Sequence, residues 1–162
     1  MIKYMNLIGI KARKASEYKV TTKVKNKVLN DYAKFINNEK KLIISQNLKD
    51  INYARKRGLK ENLIKRLHLN ENKLNGIINS ILKIAKLKDP IDNTLDKWKR
   101  SNGLNIKRVS IPIGVIGVIY ESRPNVTSDV ASLCFKSGNV VILKGGSEAI
   151  NSNKALAKLF RK

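Results

Sequence analysis

Residues 111–146 read IPIGVIGVIYESRPNVTSDVASLCFKSGNVVILKGG, and this stretch decides the fold class. Two runs within it, IGVIGVIY at 113–120 and VVIL at 140–143, carry almost no polar side chains. A strand that is apolar on both sides is typical of a parallel sheet with helices on both faces. The two runs therefore predict neighbouring strands of such a sheet.

Helical periodicity follows each of the two apolar runs. After the first run, apolar residues recur at helical spacing, at Val126, Val130, Leu133 and Cys134. Asn125 or Thr127 is expected to cap the start of this helix, and Gly138 its end. The helix after the second run is expected to bury Ala149, Leu156, Leu159 and Phe160. The order strand, helix, strand, helix predicts the opening of a doubly wound α/β domain.

A domain of this kind needs more strands than the sequence supplies. Two strands cannot bury both of their faces without further strands beside them and helices on each side. The predicted order stops after the second helix, at Lys162. We therefore expect the chain to be an N-terminal fragment of a larger α/β protein.

The first ninety residues favour helices. Apolar residues recur there every three or four positions, and lysines fill the opposite faces, as expected of solvated surface. Gly58 is expected to end one helix, and Asp89-Pro90 another. The expected apolar stripes are Met5, Ile8, Ala12 and Ala15; Val24, Val28, Tyr32, Phe35 and Ile36; Ile44, Leu48 and Ile51; and Leu74, Ile77, Ile78, Ile81 and Ala85.

Residues 94–111 favour a β-hairpin. TLDKWKR at 94–100 and NIKRVSI at 105–111 both alternate between polar and apolar residues, as strands do. SNGL lies between them, and Asn-Gly suits a two-residue type I′ turn, in which both central residues have positive φ. Trp98 would anchor either the buried face of this hairpin or an interface.

The net charge of +22 raises the question of a nucleic-acid partner. Lys accounts for 26 of the 34 basic residues, and Asn (19) and Ile (20) are inflated with it, which indicates A/T-rich codons. Nucleic-acid binders are usually rich in Arg and in aromatic residues that stack on bases, and this chain has only 8 Arg. We interpret the charge as compositional drift without a specific nucleic-acid partner. A basic nucleic-acid-binding module is the alternative.

Composition also limits which cellular compartment and which site chemistry can be expected. The hydrophobic fraction of 42% suffices for a packed core, and no apolar run approaches the roughly 18 residues that span a bilayer. Cys134 is the only cysteine, so no internal disulfide can form and the cytoplasm is expected. Cys134 shares the apolar stripe of its helix, which favours a structural thiol over a nucleophile. His68 has no acidic or thiol neighbour in the sequence, so no metal site is predicted.

Polar clusters follow both apolar runs, and such strand ends form the binding crevice of open α/β sheets. In KGGSE at 144–148, free N–H groups at the helix start, two glycines and a lysine would favour an anion or a polar ligand. An ordinary strand-to-helix turn is the alternative. In ESRPN at 121–125, Asn125 would either cap the helix or donate an N–H to a substrate oxygen, and Glu121 could pair with Arg123.

The segment RVSIPIGVIGVIYESRPNVTSDVASLCFKSGNVVILKGGSEAINSN, residues 108–153, closely resembles the γ-glutamyl phosphate reductases, also called glutamate-5-semialdehyde dehydrogenases. They are a branch of the aldehyde dehydrogenase superfamily. The resemblance spans the chain and covers well under half of the family's usual length. It implies N-terminal helices of the cofactor-binding domain at 1–93, a β-hairpin arm at 94–112 that pairs subunits, and the truncated first βαβα part of the NADP-binding domain at 113–162.

The resemblance also implies a reaction of proline biosynthesis. In this family a cysteine thiolate displaces phosphate from L-glutamyl 5-phosphate, and NADPH reduces the thioester to L-glutamate 5-semialdehyde. Asn125 matches a superfamily asparagine that stabilises the oxyanion, and Arg123 is a candidate for contacting the substrate. The implied NADP-binding residues are Lys144, Gly145, Gly146, Ser147 and Glu148. Lys144 and Glu148 resemble a Lys-Pro-x-Glu motif in which Gly145-Gly146 replaces the proline and adds a residue.

Cys134 does not match the family's nucleophilic cysteine, which belongs to a later segment. We therefore expect the isolated chain to be inactive. A second alternative follows, in which the chain is a short, non-catalytic partner that pairs with full-length subunits through its hairpin.

Overall fold

The computed structural model describes residues 2–162, which form seven α-helices, four strands and one 3-10 turn. The elements in chain order are α1 (Ile2–Ser16), α2 (Thr22–Asn38), α3 (Lys40–Lys56), α4 (Glu61–Leu67), α5 (Glu71–Lys86), β1 (Thr94–Lys99), β2 (Asn105–Val109), β3 (Val115–Ile119), α6 (Pro124–Lys136), β4 (Val140–Lys144), the 3-10 turn (Ser147–Ala149) and α7 (Ile150–Phe160). The first ninety residues are helical, and a hairpin and a β3–α6–β4–α7 unit follow them. This order confirms the predicted α/β class.

The main hydrophobic core joins α2, α5 and α7. Its fully buried side chains include Leu29, Ile36, Leu74, Ile81 and Leu156. Tyr32 lies within this core, edge-on to Phe160, and its hydroxyl is hydrogen-bonded to Ser128 Oγ at 2.8 Å. Burial raises the pKa of the Tyr32 hydroxyl above its usual range. A smaller cluster, containing Ile51, Ala54, Ile64, Leu67 and Ala149, packs α3 and α4 against the start of α7.

The predicted apolar stripes are confirmed for α5 and α7 and are partly wrong elsewhere. In α5, Leu74, Ile77, Ile81 and Ala85 are buried as expected. In α1, α2 and α3 the stripes are wrong at Met5, Val24 and Leu48, which are exposed. They are confirmed at Ala12, Tyr32, Ile36 and Ile51, which are buried. The buried face of α3 instead includes two polar residues, Asn47 and Asp50, each 1% exposed.

The buried polar residues of α3 hold other elements in place. Asn47 Nδ2 donates to Leu67 O at 2.9 Å, and Asn47 Oδ1 accepts from Leu69 N at 2.8 Å, which fixes the α4–α5 connection. Asp50 Oδ1 accepts from Asn151 N at 3.1 Å, and Asp50 Oδ2 accepts from Ser152 N at 2.8 Å. Asp50 therefore caps the first turn of α7 from a helix about one hundred residues earlier.

The hairpin is confirmed, but its turn is not type I′. Strands β1 and β2 pair antiparallel, with Trp98 opposite Ile106. Gly103 N donates to Arg100 O, and only Gly103 in the connection has positive φ (88°), since Asn102 does not. The connection is therefore a three-residue loop with a glycine bulge, which keeps the hairpin geometry with one left-handed residue. Trp98 is 42% exposed and all of β1 is exposed, which disfavours the buried-face interpretation.

Strands β3 and β4 form the predicted parallel pair, with Val115 opposite Val140. Helices α1 and α6 both contact β4. The expected burial on both faces is wrong for β3 within the described residues, because Val115 and Ile119 are 37% and 80% exposed. Only one neighbouring strand covers β3 here, so its outer residues remain in contact with solvent.

The predicted caps and apolar stripe of α6 need correction. The N-cap is Arg123, with Pro124 in the first turn, so Asn125 and Thr127 lie inside the helix. Leu133 is 50% exposed, whereas the small polar residues Ser128 and Ser132 are fully buried. The stripe is confirmed for Cys134, which is 7% exposed, but Ser128 and Ser132 share its buried face and Leu133 does not. Gly138 follows the helix with φ 68°, as predicted.

Candidate functional site

The two polar clusters meet at the carboxyl edge of the sheet, as the sequence predicts. One is the 121–125 loop after β3, and the other is the 144–148 loop after β4. Ser122 Oγ donates a short hydrogen bond to Glu148 Oε1, which joins the two loops. Behind them, Thr127 Oγ1 donates to Asn153 Oδ1 at 3.0 Å. The starts of α6 and α7 are therefore held side by side.

Glu148 is a fixed, ionised acceptor in this edge. The hydrogen bond from Ser122 is the main reason that its pKa lies below the ordinary glutamate range, although burial opposes this shift. Ser147 Oγ adds a longer contact of 3.4 Å. The ionised carboxylate can accept a further hydrogen bond from a ligand hydroxyl.

Packing of the protein itself explains one of the two glycines in the 144–148 loop. A Cβ on Gly145 would lie 2.9 Å from the Tyr120 ring and would collide with Asn153. A Cβ on Gly146 would meet only the flexible end of the Glu148 side chain. Close approach of a ligand is therefore not needed to account for Gly145.

The expectation of free N–H groups at the start of α7 is wrong for two of them. The N–H groups of Asn151 and Ser152 already donate to Asp50. The buried Asp50 carboxylate also opposes a second anion at this helix end. Those two N–H groups are therefore not available to an anionic ligand at the 144–148 loop, where the exposed Lys144 side chain supplies a positive charge.

Asn125 lines a cavity between α5 and α6. This α5–α6 cavity has a volume of about 320 Å³, and its polar lining residues are Arg66, Lys73, Ser80, Asn125 and Asp129. Asn125 Nδ2 donates to Asp129 Oδ2 at 3.1 Å, one turn further along α6. That bond uses one amide hydrogen and leaves the second for another acceptor. Arg123 is exposed in the adjoining loop.

Similarity to known proteins is extensive. No family model matches the chain. A γ-glutamyl phosphate reductase of Clostridium tetani is 45% identical over 160 residues, which are 98% of this chain and 37% of the relative. The crystal structure of γ-glutamyl phosphate reductase from Thermotoga maritima superimposes with a TM-score of 0.90 at 44% identity, over 93% of this chain and 37% of that one. By sequence and fold, the chain matches the N-terminal part of the γ-glutamyl phosphate reductases.

Two further γ-glutamyl phosphate reductases give the same result. The protein of Aliarcobacter butzleri is 53% identical over 137 residues, 85% of this chain and 33% of the relative. The Saccharomyces cerevisiae structure has a TM-score of 0.88 at 32% identity, over 92% of this chain and 38% of that one. The chain spans about a third of the length of these relatives and corresponds to their N-terminal part. This relationship does not favour the nucleic-acid-binding alternative.

The sequence analysis missed the charged residues of the α5–α6 cavity, namely Arg66, Lys73 and Asp129. Arg66 and Lys73 flank the α4–α5 connection, far from α6 in the sequence, so no local motif joins them to Asn125. The sequence could have indicated Asp129, because it lies four residues after Asn125 and therefore on the same side of the predicted helix.

Within residues 2–162 no cluster of His, Cys, Asp and Glu side chains could hold a metal ion. His68 is exposed at the end of α4. None of the helices in the same range has the length and hydropathy needed to cross a bilayer.

Cys134 is 7% exposed, and burial raises the pKa of its thiol. The folded chain is therefore expected to react with a thiol reagent such as Ellman's reagent roughly tenfold or more slowly than the urea-unfolded chain. The matched control is Ser101→Cys in a Cys134→Ser background, because Ser101 is exposed in the hairpin turn and its replacement should react quickly in both states. Equally fast labelling of Cys134 in the folded chain would contradict its structural role.

Proposed function

We propose that this chain supplies the N-terminal part of an NADP-dependent γ-glutamyl phosphate reductase. The enzyme would reduce L-glutamyl 5-phosphate with NADPH and a proton, giving L-glutamate 5-semialdehyde, phosphate and NADP⁺ in proline biosynthesis. The observation that carries this proposal is 45% identity to a γ-glutamyl phosphate reductase over 98% of the chain. Because Cys134 is buried and its thiol pKa is raised, the nucleophile is assigned to residues outside this chain.

Asn125 is proposed to stabilise the oxyanion. Asp129 Oδ2 accepts one hydrogen of the Asn125 amide and so fixes its orientation. The second hydrogen is then available to the carbonyl oxygen that gains charge when a thiolate attacks the acyl group. Arg123, exposed in the adjoining 121–125 loop, is the candidate for contacting the phosphate that leaves.

The 144–148 loop is proposed to bind the adenosine side of the cofactor, which supplies hydride when bound. The residues present fit such a group. Lys144 offers an exposed positive charge at the end of β4, and the ionised Glu148 offers an acceptor for ribose hydroxyls. Gly145, Gly146 and Ser147 shape the backbone between them. Since Asp50 occupies the donors of α7, Lys144 would be the group that favours the additional phosphate of NADP.

The remaining assignments concern organisation and assembly. We propose that residues 1–93 and 113–162 belong to the cofactor-binding domain, and that the arm at 94–112 joins subunits into a homo-oligomer. The exposed Trp98 and the exposed strand β1 support an interface on this arm. A single buried cysteine fits a cytoplasmic enzyme.

The function is tested with a chimera in which this chain replaces the matching segment of the Clostridium tetani enzyme. The chimera is expected to oxidise L-glutamate 5-semialdehyde with NADP⁺ and phosphate, which is the proposed reaction in reverse and is followed by NADPH absorbance. The chain alone should show no turnover. A folded chimera without activity, beside an active parent enzyme, would count against the proposal.

In the chimera, Lys144→Ala is expected to raise KM for NADP⁺ about tenfold or more, since one charge-assisted contact contributes about 1.5–3 kcal/mol. The turnover number should change little, because the contact contributes to binding and not to chemistry. KM for NAD⁺ should also change little, since NAD⁺ lacks the additional phosphate. The control is Lys154→Ala, an exposed lysine further along α7. Equal effects of the two substitutions would reject the role of Lys144.

A further inference from the structure

The proposed function leaves part of the α5–α6 cavity without a role. The wall contributed by α6 carries Asn125 and Asp129, while Arg66 comes from α4 and Lys73 and Ser80 come from α5. The cavity, at about 320 Å³, is open and lies beside the residue assigned to the oxyanion. It combines a carboxylate with two cations in a chain that has only 12 acidic residues.

Asp129 has an unfilled hydrogen-bonding capacity. Its Oδ2 accepts from Asn125, but its Oδ1 is buried and has no hydrogen-bond partner among residues 2–162. A buried acceptor without a donor destabilises the folded state, so such an oxygen is usually satisfied by water or by a ligand. A ligand with a positively charged donor would suit this oxygen best.

The opposite wall of the cavity is cationic and partly rigid. Lys73 Nζ donates to Lys65 O at 3.0 Å and to His68 O at 2.7 Å, which fixes its ammonium group at the α4–α5 connection. Arg66 lies in the last turn of α4 and has a planar guanidinium that can bind a carboxylate through two parallel hydrogen bonds. The cavity therefore offers a negative group on α6 and positive groups across from it.

We propose that the α5–α6 cavity recognises the α-amino-acid end of the glutamyl substrate. Asp129 binds the α-ammonium, and Arg66 binds the α-carboxylate with Lys73 beside it. This inference rests on the proposed function and deepens it, because it names the residues that select the substrate. Asn125 lies one helical turn before Asp129 on the same side of α6, so one bound substrate can contact both side chains.

The test uses substrates that each lack one charged group. The compound 5-oxopentanoate is L-glutamate 5-semialdehyde without its ammonium, and 4-aminobutanal is the same molecule without its carboxylate. In the chimera, Asp129→Asn is expected to lower kcat/KM for the semialdehyde about tenfold or more beyond any change for 5-oxopentanoate, because only the semialdehyde carries the ammonium. Arg66→Gln is expected to lower it for the semialdehyde by a similar factor and to spare 4-aminobutanal. Each variant is compared with the unsubstituted chimera on the same substrate. Any equilibrium of that substrate with its cyclic imine then affects both values equally.

The effects on the two substrates distinguish two roles of Asp129, which are binding of the substrate ammonium and orientation of Asn125. If Asp129 acts only by orienting Asn125, Asp129→Asn will reduce turnover of the semialdehyde and of 5-oxopentanoate equally, and the proposal is overturned. No effect on either substrate would overturn it as well. Asp31→Asn is the matched control, since Asp31 lies on α2 in a solvent-accessible pair with Lys27. An inactive unsubstituted chimera would instead count against the proposed function.

A binding measurement keeps the inference testable without turnover. Titration of the 162-residue chain with L-glutamate, followed by amide NMR shifts in α5 and α6, is expected to give tighter binding than glutarate, which lacks the amino group. Asp129→Asn should abolish that difference. Equal binding of L-glutamate and glutarate by the unsubstituted chain, or shifts confined to other parts of the chain, would reject the assignment.

Discussion

Asp50→Asn is expected to lower the free energy of unfolding by about 3 kcal/mol or more, which makes it the largest effect on stability predicted for this chain. Asp50 is 1% exposed and accepts hydrogen bonds from the backbone N–H groups of Asn151 and Ser152 and from both of their side chains. An asparagine would turn an amide group toward at least one of these donors. Each buried donor left without an acceptor costs roughly 1–3 kcal/mol.

The measurement is urea unfolding of the chain, followed by circular dichroism. Amide hydrogen exchange at Asn151 and Ser152 should accelerate in the same variant, because their acceptor is weakened. Asp31→Asn is the control and should change stability by less than about 1 kcal/mol, since exposed ion pairs contribute little. Similar unfolding midpoints for the two variants would show that Asp50 does not hold α7 in place.

Asn125→Ala is expected to lower kcat of the chimera by about 100-fold to 1,000-fold, the range found when one oxyanion donor is removed. KM for the semialdehyde should change far less, because the contact strengthens mainly in the transition state. Asn125 lies inside α6 and does not cap it, so the substitution should leave the helix start intact. The decrease in kcat would therefore reflect weaker stabilisation of the transition state in the chemical step.

The control for Asn125 is Asn72→Ala, an exposed asparagine in the first turn of α5. Its kcat should equal that of the unsubstituted chimera. The oxyanion role would be lost if Asn125→Ala reduced kcat by less than about tenfold in a protein of unchanged stability.

Local periodicity predicted those helices whose packing partners are apolar. In α5 the stripe containing Leu74, Ile77 and Ile81 is buried as expected, because the facing residues of α2 are apolar too. In α3 the same reasoning failed. Leu48 is half-exposed, and Asp50 is buried because its donors arrive from α7, about one hundred residues later. A pattern within a short window carries no information about such a partner.

In the candidate site, too, local sequence patterns did not predict contacts between residues far apart in the sequence. The position of the 121–125 and 144–148 loops at one sheet edge followed from two apolar strands alone. Occupation of the α7 donors did not, because it depends on Asp50, and the Ser122–Glu148 bond was equally invisible in the sequence. The α5–α6 cavity was missed because Arg66 and Asp129 are brought together only by the packing of α5 against α6.

The cap that α3 provides to α7 also sets an order of events during translation. Asp50 leaves the peptidyl transferase centre about one hundred residues before Asn151 and Ser152, its hydrogen-bond donors. At about 5–20 residues per second, the ribosome needs roughly 5–20 s to make that interval. Throughout it the Asp50 carboxylate must stay hydrated, which keeps this face of α3 open. A nascent chain interrupted before α7 would therefore present an unfinished helix bundle, a form that chaperones and proteases can distinguish from the folded one.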